Sequence, residues 1–313
     1  MQFGFMTEPQ AGGTYEDLLG LAKWAERIGL DVFSRSDHWL QPGFNPHATD
    51  AFASLAGLGR ETDSIGLCVL VSPLTFRHPA VIAKNAATID EMSGGRMILG
   101  VGTGWQQHEH DAFGLELPEI GERFDRLFET LAYLWSAFGR SPGGFEGRHY
   151  SLADIEVLPR PTGKLPIVVG GAGPKRTPRL AGRFADEYNT FVSDPDDLVG
   201  RIAHVRESAE EHDRNPDDIL ISIMGPALVG ADEPEYQSLL AEAAAGRDMS
   251  PEEYEQRLAD RGAPIGTPER AREALAALKE AGVGRYYLQV FAPLDEIETD
   301  RLEATFGHLG ALG

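Results

Sequence analysis

Hydrophobic positions along the chain follow two alternating patterns: short continuous apolar runs, and longer stretches with helical periodicity. Several of the runs are apolar on both faces, which is typical of strands that helices cover on both sides. Eight runs have this strand-like character, at residues 2–6, 31–34, 65–71, 97–102, 165–171, 187–192, 219–230 and 285–291. Because strands alternate with helices from one end to the other, the pattern predicts βα units and a parallel sheet.

The stretches between the runs contain residues that start and stop helices. Thr14 precedes an amphipathic stretch that ends at Gly29, and Thr267 with Pro268 opens another that ends at Gly282. Threonine is a good N-cap, proline fits the first helical position, and glycine accommodates the left-handed conformation at a helix end. Eight strands, each followed by a helix, predict an α/β fold of the (β/α)8 barrel type, with a doubly wound open sheet as the alternative.

Two stretches depart from the simple repeat. Residues 139–164, after the fourth helix, are too long for an ordinary loop, and we expect a hairpin there with arms at 145–150 and 155–158. Residues 231–262, after the seventh strand, have an acidic composition and a helical pattern. Because the chain has no internal repeat and no low-complexity linker, we expect one elaborated domain over residues 1–313.

Composition and charge narrow the classes of partner. The net charge of −21 argues against binding to nucleic acid or anionic membranes, because phosphate groups attract basic surfaces. No apolar run approaches the roughly 20 residues that span a bilayer, and the N-terminus lacks the pattern of a signal peptide. We therefore expect a cytoplasmic protein with a small-molecule substrate. The single cysteine, Cys68, lies in an apolar run and is expected in the core.

Barrel enzymes of this kind place their reacting groups at the carboxyl ends of the strands. The residues at these positions are Asp37, His38 and Trp39 after the second run, Val71, Ser72 and Pro73 after the third, Thr103, Gly104, Trp105, His108, Glu109 and His110 after the fourth, and Gly171, Ala172, Gly173, Lys175 and Arg176 after the fifth.

The junction after the fifth run has the most specific chemistry. Gly171, Ala172 and Gly173 form a glycine-rich turn before a helix that begins with Lys175 and Arg176, and no acidic residue lies between positions 170 and 184. Glycine lets backbone N–H groups approach an anion closely, and the helix N-terminus adds partial positive charge. The pattern predicts a phosphate site. The alternative is that the arginines cover an outer helix face and the glycines only make a tight turn.

Three other motifs have competing interpretations. His38 beside Asp37 could be a general acid or base oriented by a carboxylate, or a surface imidazole after a turn cap. Residues 108–110, His-Glu-His, resemble a metal site, but three consecutive residues do not converge as a tetrahedral set, so we expect no metal. The spaced glycines of residues 99–105 are weak as a dinucleotide motif and are explained by close approach of strand and ligand.

The order of the motifs resembles that of the bacterial luciferase-like superfamily. The matching segments are SRSDHW, VLVSPLTFRHPAVIAKNAATIDEMSGGRMILGVGTGW, GERFDRL, FEGRHYSL, LPIVVGGAGPKRTPRLAGRFADEYN and IGTPERAREALAALKEAGV. The resemblance covers nearly the whole chain, is densest from Val69 to Trp105, and is greatest to the subgroup that uses the deazaflavin coenzyme F420. It implies a (β/α)8 barrel with insertions and a two-electron flavin-type reaction.

The resemblance also implies which residues hold the cofactor. Members of the family have a bulge at the end of strand three, often with a non-prolyl cis peptide, that supports the central ring; here that support would be Leu70, Val71 and Ser72. The cofactor phosphate would lie on the glycine-rich turn and on the two basic residues that follow it.

The strand-four loop of deazaflavin relatives also lines the cofactor. By resemblance this role falls to Thr103, Gly104 and His108 here, although the relatives have an asparagine where this chain has His108.

The Asp-His pair matches that of deazaflavin dehydrogenases that act on glucose 6-phosphate or secondary alcohols. In that family the histidine lies near the hydride-transfer centre and can move a substrate proton, which implies this role for His38. Asp37 would then face the cofactor, and Trp39 and Trp105 would be walls of the substrate pocket.

The implied function is that of an oxidoreductase that transfers hydride between F420 and a small carbonyl, alcohol or enone compound. The alternatives are a monooxygenase that depends on reduced FMN and a flavin-binding protein without turnover. Sugar-phosphate relatives carry a basic set that holds the substrate phosphate, and we find no such set on the loops after strands six to eight. Arg285 lies at the start of a strand, which is the wrong end of the barrel. An apolar or uncharged substrate is therefore favoured. The resemblance further implies a homodimer and a flavin or F420 reductase as a partner.

Overall fold

The computed structural model describes residues 1–43 and 47–312. Its strands are β1 (Gln2–Thr7), β2 (Val32–Arg35), β3 (Gly66–Pro73), β4 (Met97–Gly102), β5 (Phe145–Glu146), β6 (Ser151–Leu152), β7 (Ile167–Gly170), β8 (Glu187–Phe191), β9 (Leu220–Gly225), β10 (Leu228–Val229), β11 (Ile265–Gly266) and β12 (Arg285–Val290). Eight of them form a closed barrel in the order β1-β12-β9-β8-β7-β4-β3-β2. The neighbours pair in parallel, and the pairing of β1 with β12 closes the barrel, which excludes the open sheet.

Helices follow the strands and cover the barrel. Among the described residues they are α1 (Tyr15–Arg27), α2 (Ala51–Glu61), α3 (Pro79–Ser93), α4 (Gln107–Phe113), α5 (Ile120–Ala137), α6 (Arg176–Phe184), α7 (Pro195–Glu211), α8 (Glu233–Ala245), α9 (Pro251–Ala259), α10 (Pro268–Glu280) and α11 (Thr299–Leu309). None of the described helices is long and apolar enough to cross a membrane.

The helix starts and stops follow the sequence signals in most respects. Thr14 caps α1 through a capping box with Asp17, and Gly29 and Gly282 adopt positive φ angles just beyond α1 and α10. Thr267 occupies the N-cap position of α10 but makes no capping hydrogen bond through its side chain. The predicted N-cap at Thr14 is therefore confirmed. Thr267 is at the predicted N-cap position, but its side chain does not cap the helix.

The core lies in two places, between the barrel and the helices and inside the barrel. The inner cluster includes Cys68, which is fully buried, so its expected core position is confirmed. Near the amino ends of the strands Arg285 forms a buried ion pair with Glu187 and donates to the Tyr287 hydroxyl at 3.0 Å. Arg285 therefore lies at the end of the barrel opposite the strand carboxyl ends.

The sequence predicted the elements of the two insertions with different accuracy. The acidic stretch forms α8 and α9 as expected, but the seventh apolar run divides into β9 and β10, and β10 pairs with β11. The expected hairpin exists, but its second arm is β6 rather than residues 155–158. The reason is a tight turn, in which Gly147 donates to the carbonyl of Tyr150 at 2.9 Å and the Glu129 carboxylate accepts the backbone N–H groups of residues 148–150.

Candidate active site

A cavity of about 490 Å³ opens at the carboxyl ends of the barrel strands. Residues at or just beyond the ends of all eight barrel strands line it. Eleven of the residues expected at the site from the sequence are among the lining residues: His38, Leu70, Val71, Pro73, Thr103, Gly104, Trp105, Glu109, His110, Gly171 and Ala172. The volume is within the range of small-molecule sites, about 300 to 1,000 Å³.

The end of β3 forms part of the cavity wall. Its pairing with β4 shifts register between Val69 and Ser72, and the peptide bond between Leu70 and Val71 is cis. Such a bulge re-aims the side chains of a strand. Leu70 and Val71 consequently present an apolar surface to the cavity.

Three glycines of neighbouring strands make room for the Val71 side chain. A Cβ atom on Gly100 or on Gly170 would lie 2.7 Å from Cγ1 of Val71, and one on Gly102 would lie 2.8 Å from Cγ2. Real Cβ atoms do not approach carbon this closely, so Gly102 and Gly170 require glycine as long as Val71 stays in place. Gly100 requires glycine in any case, because its Cβ atom would also lie 2.2 Å from the carbonyl oxygen of Val69. Packing against Val71 therefore accounts for the two glycines of β4, and Gly102 also lines the cavity, where close approach of a ligand stays a prediction.

The His38 side chain is held by a carboxylate that follows β4. Its Nδ1 atom lies 2.9 Å from Oε2 of Glu109, a residue of α4 that is 1% exposed. The other oxygen of Glu109 accepts the backbone N–H groups of Trp39 and Leu40. Because a carboxylate only accepts, Nδ1 of His38 donates the proton, and Nε2 of the neutral ring is left as an acceptor available to a ligand.

Two opposing effects act on the pKa of His38. Burial is the largest and lowers the pKa, whereas the hydrogen bond with Glu109 and the negative charges of Glu109, Glu8 and Asp37 raise it. Together these opposing contributions outweigh burial, and the pKa of His38 is raised above its ordinary value. The site therefore stabilises the imidazolium that would form when neutral His38 accepts a proton.

Asp37, the sequence neighbour of His38, is directed elsewhere. It is 1% exposed, forms a two-point ion pair with Arg77, and accepts a hydrogen bond from Ser72 at 2.7 Å. Burial raises the pKa of Asp37, and Arg77, Ser72 and Arg35 oppose that shift. Neither Asp37 nor Ser72 is among the cavity-lining residues, so the carboxylate that orients His38 is Glu109 and not Asp37.

A second polar group lies on the wall beside β1 and β12. Gln10 and Gln289 donate to the two oxygens of Glu8, at 2.7 and 2.5 Å, and Ser36 donates to Gln10 at 2.7 Å. All four side chains line the cavity. Sequence patterns did not identify this group, because its members come from strands at opposite ends of the chain.

The two tryptophans and His108 occupy different surroundings. Trp105 lines the cavity, is 68% exposed, and meets the His38 ring edge-on at a centroid distance of 5.7 Å. Trp39 packs on Phe76 and does not line the cavity. His108 lies exposed on α4 outside the cavity, because successive helical residues are turned by about 100° and Glu109 faces inward instead.

The turn after β7 places only part of the expected phosphate set beside the cavity. Gly171, whose φ of 150° favours glycine, and Ala172 line the cavity. Gly173, Lys175 and Arg176 lie beyond the lining, and Lys175 and Arg176 are exposed at the start of α6. No side chain caps the first turn of α6 and no acidic residue lies in it, so the backbone N–H groups of Arg176 and Thr177 are the ones that this turn offers to an anion, since Pro178 has none.

Metal ligation has no support in the described part of the chain. Residues 1–43 and 47–312 contain no group of three or more His, Cys, Asp or Glu side chains that could hold a metal ion.

A closed barrel with a bulged third strand and a cavity at its mouth defines a (β/α)8-barrel protein with a ligand site at the strand carboxyl ends. A sequence profile described as luciferase-like monooxygenase matches residues 1–285. The chain belongs to this family.

Curated relatives include enzymes that use F420. The chain is 40% identical over 200 residues to an F420-dependent glucose-6-phosphate dehydrogenase of Microbacterium testaceum, covering 63% of this chain and 58% of the relative. It is 35% identical over 224 residues to an enzyme of the same name from Nakamurella multipartita, covering 70% and 65%. The matched part thus spans less than two thirds of these relatives.

Solved structures share the fold along nearly the whole chain. An F420-dependent secondary alcohol dehydrogenase, in complex with an F420-acetone adduct, superposes with a TM-score of 0.79 at 21% identity and 98% coverage of both chains. A monooxygenase from Streptomyces bottropensis gives 0.80 at 22% identity, covering 99% of this chain and 98% of the other. At these identities the likeness establishes the fold only.

Proposed function

We propose that this protein is an oxidoreductase that transfers hydride between coenzyme F420 and an uncharged small alcohol, carbonyl or enone compound. The observation that carries the proposal is the His38–Glu109 pair at the mouth of the barrel, beside the apolar surface of Leu70 and Val71. The curated relatives that use F420 support the choice of cofactor.

The residues present fit a deazaflavin. Leu70 and Val71 offer an apolar surface to a flat ring. The glycines packed against Val71 leave space for its side chain, so that this surface keeps its position. At the cavity edge, Gly171 and Ala172 lead to the uncapped start of α6, where a phosphate would accept backbone N–H groups. When bound, the deazaflavin supplies the carbon that accepts or gives hydride.

The chain's own contribution to the chemistry is position and a proton. In alcohol oxidation, Nε2 of His38 accepts the hydroxyl proton, and the Glu109 carboxylate stabilises the resulting imidazolium through Nδ1. In carbonyl reduction the same imidazolium returns the proton to the oxygen. Trp105 covers one side of the His38 ring.

The cavity walls favour a neutral substrate. Among the described residues no lysine or arginine lines the cavity, whereas the carboxylates of Glu8 and Glu109 do. Opposite them, Phe191, Met224 and Phe291 form an apolar side. A phosphate group on the substrate would meet like charge without a compensating cation, so we do not extend the sugar-phosphate activity of the relatives to this chain.

Titration of the purified protein with F420 and with FMN, followed by absorbance and fluorescence, tests the cofactor. We expect micromolar binding of F420. Micromolar binding of FMN with none of F420 would instead favour a monooxygenase that depends on reduced FMN. Rapid-mixing turnover of His38→Ala tests the proton role, because this variant should bind F420 normally and lose most of its turnover.

The proposal includes a cellular setting carried over from the family resemblance. We infer a cytoplasmic homodimer that exchanges its reduced or oxidised cofactor with a separate F420 or flavin reductase. Sedimentation of the purified protein at several concentrations tests the dimer, and a coupled assay with an F420 reductase tests the exchange.

A further inference from the structure

A buried carboxylate on the cavity wall has no cation to balance it. Glu8 lies just beyond β1, lines the cavity and is 5% exposed. Within the residues that the structure describes, it forms no ion pair, and its hydrogen-bond partners are the uncharged amides of Gln10 and Gln289. Burying a carboxylate without a cation is costly, so this position calls for a binding partner from the cavity.

The Glu8 carboxylate is rigidly held but keeps acceptor capacity. Its oxygens accept one hydrogen bond each, at 2.7 Å from Gln10 and 2.5 Å from Gln289, whereas an ionised carboxylate has about four lone-pair sites. Ser36 donates to Gln10 at 2.7 Å, and the pairing of β12 with β1 places Gln289 beside the end of β1. The amides therefore fix the orientation of the carboxylate and leave lone pairs for a donor that enters the cavity.

Glu8 and His38 act on the same volume. Both line the cavity of about 490 Å³. Burial lowers the pKa of His38, and the negative charge of Glu8 is one of the effects that raise it. Because such an effect falls with distance, the two side chains lie close enough for one small molecule to contact both.

The remaining wall defines the rest of such a molecule. Phe191, Met224 and Phe291 form the apolar side of the cavity. A ligand that fills the space is therefore polar along the edge that faces His38 and Glu8, and hydrocarbon along the other edge.

We propose that Glu8 determines substrate specificity by accepting a hydrogen bond from a second hydroxyl of the substrate, an inference that rests on the proposed function. The preferred substrate is a neutral diol, or the corresponding hydroxyketone in the reverse direction. Its reacting oxygen lies at Nε2 of His38, and its second hydroxyl donates to Glu8.

A hydroxyl fits Glu8 better than an ammonium group does. Alcohol oxidation leaves a positive charge on His38, and a substrate cation nearby would oppose that charge. A hydroxyl leaves the negative charge of Glu8 in place, where it stabilises the imidazolium. The subsite therefore selects a neutral donor.

Rates on matched alcohols test the inference. With F420 supplied, kcat/KM would be compared for butan-2-ol, for butane-2,3-diol and butane-1,3-diol, and for the amino alcohols in which the second hydroxyl is replaced by an amine. We expect one of the diols to exceed butan-2-ol by about tenfold, as an added hydrogen bond to a charged group supplies. Its amino analogue should stay below it.

Variants of Glu8 test the acceptor. Glu8→Ala should abolish the preference for the diol, and Glu8→Gln, which keeps the shape and loses the charge, should reduce it. Because the preference is a ratio of two rates on one variant at one pH, any change in the pKa of His38 cancels. Glu16→Gln, which removes an exposed carboxylate of α1 outside the cavity, is the matched control and should keep the preference.

A second acceptor in the cavity is separated from Glu8 by its own variant. Gln106 lines the cavity, and its Oε1 atom is buried without a hydrogen-bond partner in the described part of the chain. Gln106→Met should keep the preference for the diol. Loss of the preference in Gln106→Met, with retention in Glu8→Ala, would assign the second hydroxyl to Gln106 and overturn the inference.

Binding without F420 distinguishes the subsite from the reaction. No oxidation occurs without the cofactor, so quenching of tryptophan fluorescence, with Trp105 in the cavity as a reporter, measures the affinity for the same alcohols. We expect the preferred diol to bind about tenfold more tightly than butan-2-ol, and the difference to vanish in Glu8→Ala.

The outcomes separate the subsite from the proposed function. If butan-2-ol is oxidised but no diol is preferred, or the amino alcohol is preferred, Glu8 does not bind a second hydroxyl although the proposed function stands. If a diol binds in preference through Glu8 but no alcohol reduces F420, the proposed function is wrong and the subsite stands. Oxidation of butan-2-ol by Glu8→Gln demonstrates that the variant is folded.

Discussion

The Glu109 carboxylate lies 2.9 Å from Nδ1 of His38, across 71 positions of sequence. The same carboxylate holds the backbone of Trp39 and Leu40, so one side chain of α4 fixes both the imidazole and the loop that carries it. Glu109 therefore both orients the His38 ring and raises its pKa, and removing the Glu109 carboxylate should change the orientation and the pKa together.

We expect Glu109→Gln to shift the pH dependence of alcohol oxidation. His38 must be neutral to accept a proton, so kcat/KM in the wild type rises with pH through the raised pKa of His38. Without the negative charge, burial dominates and lowers that pKa, so the rise should move to lower pH. The plateau rate should fall by about 10- to 100-fold because the imidazolium loses its partner. Steady-state rates measured from about pH 5 to about pH 9 cover the range in which histidine side chains usually titrate, and they report both effects.

Asp111→Asn is the control for this prediction, because Asp111 lies exposed on the same helix and its carboxylate accepts a hydrogen bond from Gln107, outside the cavity. Its profile should match that of the wild type. A Glu109→Gln profile that overlies the wild type would remove Glu109 from the proton path.

The buried ion pair between Asp37 and Arg77 should contribute to stability rather than to proton transfer. The Asp37 side chain is 0% exposed and that of Arg77 is 9% exposed. Arg77→Met leaves a buried carboxylate without its cation, so the free energy of unfolding should fall by about 3 to 5 kcal/mol. Urea unfolding followed by fluorescence measures the change.

Arg206→Met is the comparison for Arg77→Met, since Arg206 pairs with Asp217 on the surface with both side chains more than half exposed. Its cost should stay below about 1 kcal/mol. Equal losses in the two variants would contradict the assigned role of the buried pair.

The barrel could be predicted because each strand buries both faces and therefore has a continuous apolar run. The run at 285–291 illustrates this, since it pairs with β1 although almost the whole chain separates them. The boundaries of short elements could not be predicted in the same way. The second hairpin arm was misplaced because the backbone N–H groups of the turn donate hydrogen bonds to the Glu129 carboxylate, and a distant carboxylate has no local sequence pattern.

The candidate site was predictable only as a set of strand ends. His38 and Gly171 were placed at the mouth by that rule, but adjacency in sequence favoured Asp37 as the partner of His38. The strand-end rule also included Glu109, yet its position between two histidines drew attention to metal binding. Which strand end faces which depends on the curvature of the closed barrel and on the rotation of α4, and neither leaves a motif.

Gly170→Ala should weaken cofactor binding by moving Val71. The added Cβ would lie 2.7 Å from Cγ1 of Val71, and a valine side chain has little rotamer freedom with which to yield. We expect the dissociation constant for F420 to rise by about tenfold and the free energy of unfolding to fall by about 1 to 3 kcal/mol. Isothermal titration and urea unfolding measure the two quantities.

The control for Gly170→Ala is Gly20→Ala in α1, where no heavy atom lies within 4 Å of the added Cβ. Alanine there should stabilise the helix by about 0.5 to 1 kcal/mol and leave F420 binding unchanged. Wild-type affinity in Gly170→Ala would mean that the Val71 surface does not support the cofactor.

The cavity walls contain carboxylates and no cation among the described residues, so we predict that the protein prefers a neutral substrate to a sugar phosphate. With F420 supplied, kcat/KM for glucose 6-phosphate should be at least about 100-fold below that for the best neutral secondary alcohol, since like charges brought together cost several kcal/mol. Phe191 lines the cavity and is 44% exposed, so a lysine there could keep its ammonium group hydrated. Phe191→Lys should therefore raise activity on the sugar phosphate relative to the neutral alcohol, whereas Phe191→Leu, which changes shape without adding charge, should not. Wild-type activity on glucose 6-phosphate equal to that on neutral alcohols would show that the phosphate is recognised by groups outside the cavity, and the assignment of an uncharged substrate would then be wrong.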